Sequence, residues 1–422
     1  MFTADALLPQ LQDLPAARRL LVAYSGGLDS TVLLHALASL QDQHHKRVEA
    51  VHVNHGLHAG AVDWAQHCAA FCVTLGIELH SMTVEVDRNQ PSLEAAARDA
   101  RYAAFETIMQ RGDLLLTAHH QDDQAETLLL NLMRGSGLHG LAGMPRERAL
   151  GEGRLLRPLL HVSRAGLEAY AEQHRLSWIE DPTNASTDFD RNFLSHRVVP
   201  LLAERWPVAV SKIARSAELA SESVALLDAE AQARLQPLLV TEARIDLAGL
   251  MRQQAPWQVQ LLRHWLRRAG APPLPSRQLE EFLRQLEAAG DDRQPGVAWH
   301  GWNLRRHGER LYLGQALADI DSAYCASWDC SAPLVLPGNL GCLRFEEGER
   351  RQLQVRFRRE GDEVRLKGHA RSLKSLMQEL EIPPWLRDRV PLVVSNGDIV
   401  AIADRRYADN ADLWLLWDAC PD

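Results

Sequence analysis

Between residues 20 and 180 the sequence alternates between short strand-like runs and longer helix-like runs. This alternation limits the folds open to the chain, because neighbouring parallel strands need a crossover connection long enough to hold a helix. It predicts an α/β fold with a doubly wound parallel sheet, whose ligands bind at the carboxyl ends of the strands. The predicted strands are 20–24, 48–53, 77–86 and 113–118, and the predicted helices are 30–41, 61–75, 92–110, 122–134 and 163–175.

The remainder of the chain differs in composition from this first part. Residues 211–290 are rich in Ala, Leu, Arg, Glu and Gln and predict helices, whereas short β-like runs begin at about residue 297. We therefore expect three domains: an α/β domain at 1–210, a helical middle domain at 211–318 and a small C-terminal domain of mixed β structure with some helix at 319–422.

Composition excludes several classes of protein. With 422 residues and a formal net charge of −9, the chain is not a uniformly basic nucleic-acid-coating protein. It begins without the charged and apolar regions of a secretory signal, and it has no apolar run of membrane-spanning length, so we expect a cytoplasmic protein without a membrane partner. The six cysteines include no Cys-x-x-Cys pair, and we interpret Cys68 and Cys72 as buried thiols of a reducing compartment.

The loop after the first predicted strand carries the strongest chemical signal. A strand, a glycine-rich turn and a helix N-terminus form an anion site, because unpaired N–H groups and the positive end of the helix dipole face the ligand. The loop lacks the lysine of a Walker-type site, and its one carboxylate, Asp29, repels a bare phosphate. Asp29 therefore indicates a bridging cation, for which Mg²⁺ is the best match. The predicted phosphate-binding residues are Ser25, Gly26, Gly27, Leu28, Asp29, Ser30 and Thr31.

Glycine-rich loops also have simpler interpretations. An ordinary tight turn remains the alternative for residues 25–31. A second glycine-rich stretch, with Gly135, Gly137 and Gly140, follows a predicted helix and not a strand. We interpret that stretch as the end of a helix, because a dinucleotide-binding loop requires a strand before it.

Several stretches of the chain resemble known enzymes. "SGGLDST", at 25–31, is similar to the loop of the N-type ATP pyrophosphatases, which split ATP into AMP and pyrophosphate to adenylate an oxygen. Five further stretches resemble the tRNA(Ile)-lysidine synthase family in sequence and order. They are "HVNHGLH" (52–58), "LEAAARDARYAAF" (93–105), "TAHHQDDQAETLLLNLMRGSGLHGL" (117–141), "WIEDPTNASTDFDRNFLSHRVVPLL" (178–202) and "IPPWLRDRVPL" (382–392).

The resemblance implies a reaction and its partners. The family converts the wobble cytidine of the CAU anticodon of tRNA(Ile) to lysidine. ATP adenylates the C2 oxygen of the base, the ε-amine of free L-lysine attacks C2, and AMP leaves. The expected partners are therefore tRNA(Ile), L-lysine and ATP with Mg²⁺, while the oligomeric state stays open, with a homodimer as one candidate.

The resemblance also implies roles for single residues. Residues 25–31 would bind ATP, and Asp29 would hold the metal ion. Arg101 would pair with the carboxylate of lysine, as a guanidinium favours. Asp123 and Glu126, three apart on one helix face, would bind an amino group. Asp29, Arg101, Asp123 and Glu126 are thus the predicted catalytic residues.

Neighbouring groups on this helix keep more than one interpretation. Asp122 suits the positive end of the helix dipole and needs no catalytic role. The lysine ammonium must lose a proton before it attacks, since its reference pKa is about 10.4. His119 and His120 are both chemically suitable bases, and neither is assigned the role.

Contacts to tRNA are predicted in two places. The resemblance implies Arg191 and Arg197, although Ser195 stands where the family usually has arginine, so a contact there is missing or is supplied by His196. The second place is 351–391, a segment that contains ten Lys and Arg but only six Asp and Glu, although the chain as a whole is acidic. The predicted phosphate contacts of this segment are Arg358, Lys367 and Lys374, and a solvated charged surface is the alternative.

Two competing functions follow from the same motifs. A tRNA thiolase would use the same adenylation but would need catalytic or cluster-binding cysteines, which Cys68 and Cys72 on one helix do not supply. A catalytically silent RNA-binding protein would have lost the four predicted catalytic residues, and all four are present. The sequence therefore favours the ligase.

Overall fold

The structure, a computed structural model, describes two compact units, Met1–Leu227 and Asp228–Asp422. The described residues are 2–12, 19–56, 61–86, 93–180, 187, 189–290, 293–317, 319–348, 352–366, 369–403, 405–406 and 413–418. Lys367, a predicted tRNA contact, lies outside them. The domain boundaries at 210 and 318 stay predictions.

A six-stranded sheet organises the first unit. Its strands are β1 (Arg19–Ala23), β2 (Arg47–Asn54), β3 (Glu78–Thr83), β4 (Leu114–Leu116), β5 (Glu147–Leu150) and β6 (Gly153–Leu156). They lie in the order β3-β2-β1-β4-β6-β5. The pairings β1–β2, β2–β3, β1–β4 and β4–β6 are parallel, and β5 runs antiparallel to β6 at the edge. The predicted parallel sheet is confirmed.

The strand order reverses direction between β1 and β4. In sheets of this kind the reversal opens a crevice beyond the carboxyl ends of the two strands. The loop after β1 is the glycine-rich loop at 25–31, and the loop after β4 is 117–120. The topology therefore brings two of the motifs to one crevice.

Helices connect these strands and extend beyond them. In the first unit they are α1 (Leu8–Gln12), α2 (Leu28–Ser39), α3 (Gln41–His44), α4 (Ala61–Leu75), α5 (Leu93–Ile108), α6 (Gln121–Met133), α7 (Leu138–Leu141), α8 (Arg164–Gln173), α9 (Asp190–Phe193) and α10 (Val199–Arg205), while α11 (Ala209–Leu235) continues into the second unit. The predicted strands and helices of this region are found with ends that differ by at most three residues. The short strands β5 and β6 were not predicted.

Helix α2 is buried over most of its surface. Val32, Leu33, Leu34 and Leu37 are fully buried, and the helix packs between β1 and α8. An apolar helix without a polar face is typical of a core position. The glycine-rich loop is thus anchored at both ends, since β1 is buried as well.

The second unit combines helices with antiparallel sheets. Its helices are α12 (Leu247–Met251), α13 (Ala255–Arg268), α14 (Ser276–Ala288) and α15 (Leu373–Glu379). Its strands are β7 (Leu239–Thr241), β8 (Arg244–Asp246), β9 (Gly296–Trp299), β10 (Trp302–His307), β11 (Arg310–Gln315), β12 (Cys325–Trp328), β13 (Leu334–Val335), β14 (Cys342–Gly348), β15 (Leu353–Arg356), β16 (Glu363–Leu366), β17 (His369–Ser372), β18 (Leu392–Ser395), β19 (Asp398–Ile402), β20 (Arg405–Arg406) and β21 (Leu413–Asp418).

The predicted helices of the middle segment pack on a sheet. Five strands in the order β7-β8-β11-β10-β9 share a core with α12, α13 and α14, in which Trp265 is fully buried. The C-terminal segment holds a second five-stranded sheet, β12-β15-β18-β19-β20, with α15 against its strands, as mixed β structure predicts. Across the described residues, no helix has both the length and the apolarity of a membrane span.

Candidate active site

The glycine-rich loop makes a sharp turn between β1 and α2. Gly26 has φ +84°, a left-handed conformation that side chains disfavour, and Gly27 occupies the N-cap position of α2. A Cβ atom on Gly26 would lie 2.9 Å from both Cys68 Sγ and Ile179 Cδ1. The Ile179 N–H also donates to the Gly26 carbonyl oxygen at 2.8 Å. The turn therefore requires glycine at position 26.

Hydroxyl groups cross-link this loop. The Ser25 and Ser30 hydroxyls lie 3.0 Å apart, and Ser30 Oγ donates to the Gly27 carbonyl at 3.1 Å. Thr31 is fully buried, and its hydroxyl donates to the Gly26 carbonyl at 3.4 Å. Of the predicted phosphate-binding set, the structure places Ser25, Gly27, Asp29 and Ser30 in the wall of one cavity. Gly26, Leu28 and Thr31 are buried and do not line that cavity.

Asp29 lies in the first turn of α2 at the edge of the cavity. Its Oδ1 atom is buried and has no hydrogen-bond partner within the described part of the chain. Its Oδ2 atom lies 3.7 Å from His120 Nε2 and 3.9 Å from the Arg164 guanidinium. A buried carboxylate oxygen without a donor fits a ligand of a hard cation, so the residues present suit Mg²⁺.

His120 lies between the loop and α6. Its Nε2 atom is 3.5 Å from Asp123 Oδ2, and its backbone N–H donates to the same oxygen at 2.9 Å. Burial lowers the pKa of His120, but the carboxylates of Asp122, Asp29 and Asp123 outweigh burial and raise that pKa to about 10. The imidazole is therefore protonated at neutral pH and acts as a fixed positive charge.

His119, its neighbour, has the opposite character. Its Nδ1 atom lies 2.9 Å from the Thr117 hydroxyl. Burial lowers the pKa of His119 to about 3; nearby arginines lower that pKa further, and Asp123 raises it only in part. The ring is neutral. The structure thus separates the two histidines that the sequence left equivalent.

The two predicted lysine-binding acids share one partner. The Arg191 guanidinium donates to Asp123 Oδ1 at 2.6 Å and to Glu126 Oε2 at 3.1 Å. Burial raises the pKa of Asp123, yet His120 and Arg191 together hold it below its usual range. Asp123 and Arg191 line the cavity, whereas Glu126 lies behind Arg191 and is 8% exposed. Arg191, a predicted tRNA contact, is therefore also part of the predicted lysine site.

Asp122 belongs to the helix end. It accepts the Arg164 backbone N–H at 2.8 Å, a contact that joins α6 to the first turn of α8. This contact agrees with the structural interpretation of Asp122.

Two arginines of α5 also line the cavity, whose volume is about 860 Å³. Arg98 and Arg101 project from α5, and their guanidinium carbons lie 5.5 and 5.9 Å from the centre of the Tyr102 ring. Arg148 lies 4.8 Å from the same ring. Such contacts orient guanidinium groups over an aromatic face. Among the residues that line the cavity, α6 therefore contributes Asp123 and α5 contributes Arg98 and Arg101.

Sequence reasoning missed several residues of this cavity. Arg98, Phe189 and Asn192 all line it. His55, also in the wall, has a buried Nδ1 atom that meets no hydrogen-bond partner among the described residues, and burial, Arg101 and His52 lower its pKa. All four lie inside the stretches that resemble the family, so the motifs marked the segments without identifying these side chains.

Comparison with known proteins identifies the family. A PP-loop domain model matches residues 3–202, a TilS substrate binding domain model matches 245–312, and a TilS substrate C-terminal domain model matches 353–414. The tRNA(Ile)-lysidine synthase of Xanthomonas axonopodis pv. citri is 41% identical over 99% of this chain and 96% of its own length. The chain belongs to the tRNA(Ile)-lysidine synthase family.

Two further comparisons add a second relative and a solved structure. The tRNA(Ile)-lysidine synthase of Coxiella burnetii is 39% identical over 95% of this chain and 92% of its own length. Among solved structures, the U34-tRNA thiolase NcsA from Methanococcus maripaludis, with its [4Fe-4S] cluster, aligns with a TM-score of 0.45 at 21% identity, over 52% of this chain and 77% of its own. Cys68 and Cys72 are free and buried in this member of the lysidine synthase family, where burial raises their pKa values to about 12 and 11.

The stretch that follows Arg191 has an unusual backbone. Leu194–Val198 form a π-helical turn in which Ser195 is half-buried and His196 and Arg197 are exposed. π-Helical turns interrupt regular helices and often accompany functional sites. The structure therefore leaves Arg197 accessible.

Several described cations of the C-terminal segment are already paired. Arg356 forms a two-fold ion pair with Asp362, Arg371 pairs with Glu379, and Arg358 Nη1 lies 3.3 Å from Asp388 Oδ1. Arg387 is buried, and burial lowers its pKa. Lys374, on α15, is exposed. Local pairing makes the accessible basic surface smaller than the sequence count indicates.

We expect Gly26→Ala to destabilise the protein by about 1–3 kcal/mol, because alanine must adopt a positive φ and its Cβ meets Cys68 and Ile179. Gly27→Ala is the matched control, since Gly27 has φ −75° and a Cβ atom there would lie 3.5 Å from its nearest neighbour, Ser25 Oγ. We expect that control to stay within about 1 kcal/mol of wild type. Thermal unfolding measures both, and equal melting temperatures for the two variants would show that the left-handed turn is no constraint.

Proposed function

We propose that this chain catalyses ATP-dependent formation of lysidine, by joining L-lysine to C2 of the wobble cytidine in the CAU anticodon of tRNA(Ile). AMP and pyrophosphate are released. The observation that carries the proposal is a cavity whose wall combines the PP-loop with Asp123 of α6 and with Arg98 and Arg101 of α5. The relatives at 41% and 39% identity that are named tRNA(Ile)-lysidine synthase support it.

The first step makes the C2 oxygen a leaving group. The C2 oxygen attacks the α-phosphate of ATP, pyrophosphate departs, and the base becomes an adenylate. Ser25, Ser30 and the backbone N–H groups at the start of α2 would hold the phosphates, because they line the cavity and supply donors where charge develops. Mg²⁺, when bound by Asp29, supplies further neutralisation of the phosphate oxygens.

The second step needs a site for a zwitterionic amino acid with an extra amine. Arg101, supported by Arg98, would bind the carboxylate of lysine on the α5 side of the cavity. Asp123 and Glu126 would bind an amino group on the α6 side. Arg191 neutralises these two acids in the present structure, so an incoming ammonium competes with its guanidinium for the same oxygens.

The lysine nitrogen attacks C2 after it loses a proton, and AMP leaves with the former C2 oxygen. The carboxylates around His120 raise its pKa to about 10, which disfavours His120 as the base that accepts this proton. Its charge lies 3.7 Å from Asp29 and 3.5 Å from Asp123, and it helps to hold the pKa of Asp123 below its usual range. His120 is thus an electrostatic support of both half-sites.

A labelling assay tests the proposed function. The purified chain is incubated with ATP, Mg²⁺, radiolabelled L-lysine and a tRNA(Ile) transcript with a CAU anticodon. We expect label in the RNA only when ATP is present, and a transcript whose wobble base is uridine is the negative control. Absence of label from the CAU transcript contradicts the proposal, and sulfur incorporation from a labelled donor supports the thiolase instead.

We expect Asp29→Ala to lower tRNA-dependent ATP–pyrophosphate exchange by roughly 10²-fold or more while tRNA affinity stays near wild type, because the change removes a metal ligand and no RNA contact. Asp42→Ala, which removes an exposed acid on α3, is the control and keeps full activity. Exchange at the wild-type rate in Asp29→Ala would refute the metal role.

We expect Glu126→Gln to raise the KM for lysine by roughly tenfold and to change the KM for ATP little, because only lysine presents an ammonium to this carboxylate. In the variant, Arg191 still donates to Asp123, so the contact between Arg191 and α6 is retained. Steady-state kinetics with each substrate varied in turn provide the measurement. Equal rises in both KM values would place Glu126 at the nucleotide.

Arg191, Arg197, Arg358, Lys367 and Lys374 stay proposed contacts to tRNA. We expect the double variant of Arg358→Ala and Lys374→Ala to weaken tRNA binding and to flatten the dependence of log K on log salt by up to roughly one unit per lost phosphate contact. Filter binding across a salt series measures the slope.

The control for this pair keeps the net charge constant. Arg371 and Glu379 form an exposed ion pair in the same segment, so replacing both with alanine removes one charge of each sign. We expect the control to retain the wild-type slope. An unchanged slope in the Arg358 and Lys374 variant would leave the first unit as the main RNA surface.

The cytoplasmic location and the homodimer stay predictions.

A further inference from the structure

One aromatic side chain in the cavity wall is half exposed. Phe189 lines the cavity and is 50% exposed, although exposing the apolar surface of a large ring to water is unfavourable in free energy. Residues of this kind on a soluble protein mark interaction sites when they adjoin a functional cleft. The question is which substrate covers the ring.

The position of Phe189 is fixed by its neighbours. Its backbone is extended, with φ −92° and ψ 132°, and its carbonyl oxygen accepts the Phe193 N–H at 2.9 Å as α9 begins. Two residues later, Arg191 is bound to Asp123 and Glu126 on α6. Phe189 therefore belongs to a short piece of chain that Arg191 ties to α6.

The proposed reaction brings one planar group to this opening. C2 of a wobble cytosine is inaccessible while the base is stacked in an anticodon loop, so the base must leave its stack to enter the cavity. Proteins that bind single-stranded RNA compensate for this loss by stacking the displaced base on an aromatic ring. Lysine has no ring that could stack, and its charged groups match the charged side chains that line the cavity.

We propose that the Phe189 ring stacks on the wobble cytosine of the bound tRNA and holds that base at the entrance of the cavity. The inference rests on the proposed function and adds the residue that receives the displaced base. Adenine of ATP is the competing planar occupant, and the test separates the two.

The structure offers a matched control at the other end of the same short helix, because Phe189 is the N-cap of α9 and Phe193 is its last residue. Phe193 is 49% exposed, almost the same as Phe189, but it is not part of the cavity wall. We compare Phe189→Ala, Phe189→Tyr and Phe193→Ala. Phe189→Leu serves as a second variant that keeps an apolar side chain without a stacking face, in case the alanine variant does not fold.

For Phe189→Ala and Phe189→Leu we expect a roughly tenfold rise in the KM for tRNA, with the KM values for ATP and lysine unchanged. Phe189→Tyr restores the wild-type value because it keeps the ring, and Phe193→Ala matches wild type. A tRNA with fluorescent pyrrolocytosine at the wobble position reports the contact directly. Its fluorescence should fall on binding to wild type and fall less on binding to Phe189→Leu.

Each other outcome overturns the inference. A rise in the KM for ATP instead of tRNA assigns the ring to adenine. Equal effects of Phe189→Ala and Phe193→Ala, or a failed rescue by tyrosine, show that no stacking at the cavity is involved. If the wild-type chain attaches no lysine to tRNA, the proposed function itself fails, which is distinct from a wild-type enzyme whose Phe189 variants behave normally.

Discussion

The packing of α2 between β1 and α8 is the constraint on which the candidate site depends. Both elements that flank the glycine-rich loop are buried, so the loop cannot shift without exposing core side chains. The left-handed Gly26, backed by Cys68 and Ile179, then fixes the direction in which the loop turns. A phosphate site made of N–H groups needs this rigidity, because such donors stabilise charge only when they are already oriented.

Charge pairing extends from this loop across the cavity. Asp29, His120, Asp123 and Arg191 follow one another at distances of 2.6 to 3.7 Å, with alternating sign. His120 is buried, whereas Asp29, Asp123 and Arg191 are partly exposed, and each charge has a partner of opposite sign. The arrangement links the half of the cavity that would hold nucleotide to the half that would hold lysine, and His120 and Arg191 hold the pKa of Asp123 below its usual range.

Much of the first unit could be predicted because its signals are local. Strand and helix ends were found within three residues, since buried strands and apolar helices of ordinary length have clear patterns. Strands β5 and β6 were missed, as four-residue strands with charged residues such as Arg148 and Arg154 show no such pattern. In the middle segment the short strands β7 and β8 were missed for the same reason. Strands β9, β10 and β11 fall in the β-like runs expected from about residue 297, but their packing in one sheet against the helices was not predicted.

The sequence alone determined the strand–loop–helix unit and the membership of a ligase family, because each rests on residues close together in the chain, while the cation at Asp29 stays a prediction. Tertiary structure decided what those residues do to one another. Arg191 neutralises acids 68 and 65 positions earlier, and His120 becomes a permanent cation only because three carboxylates from two helices surround it. Tertiary structure also exposes Phe189 at the cavity and places Arg356 in an ion pair with Asp362. Exposure and pairing depend on distances through space, which no local sequence pattern contains.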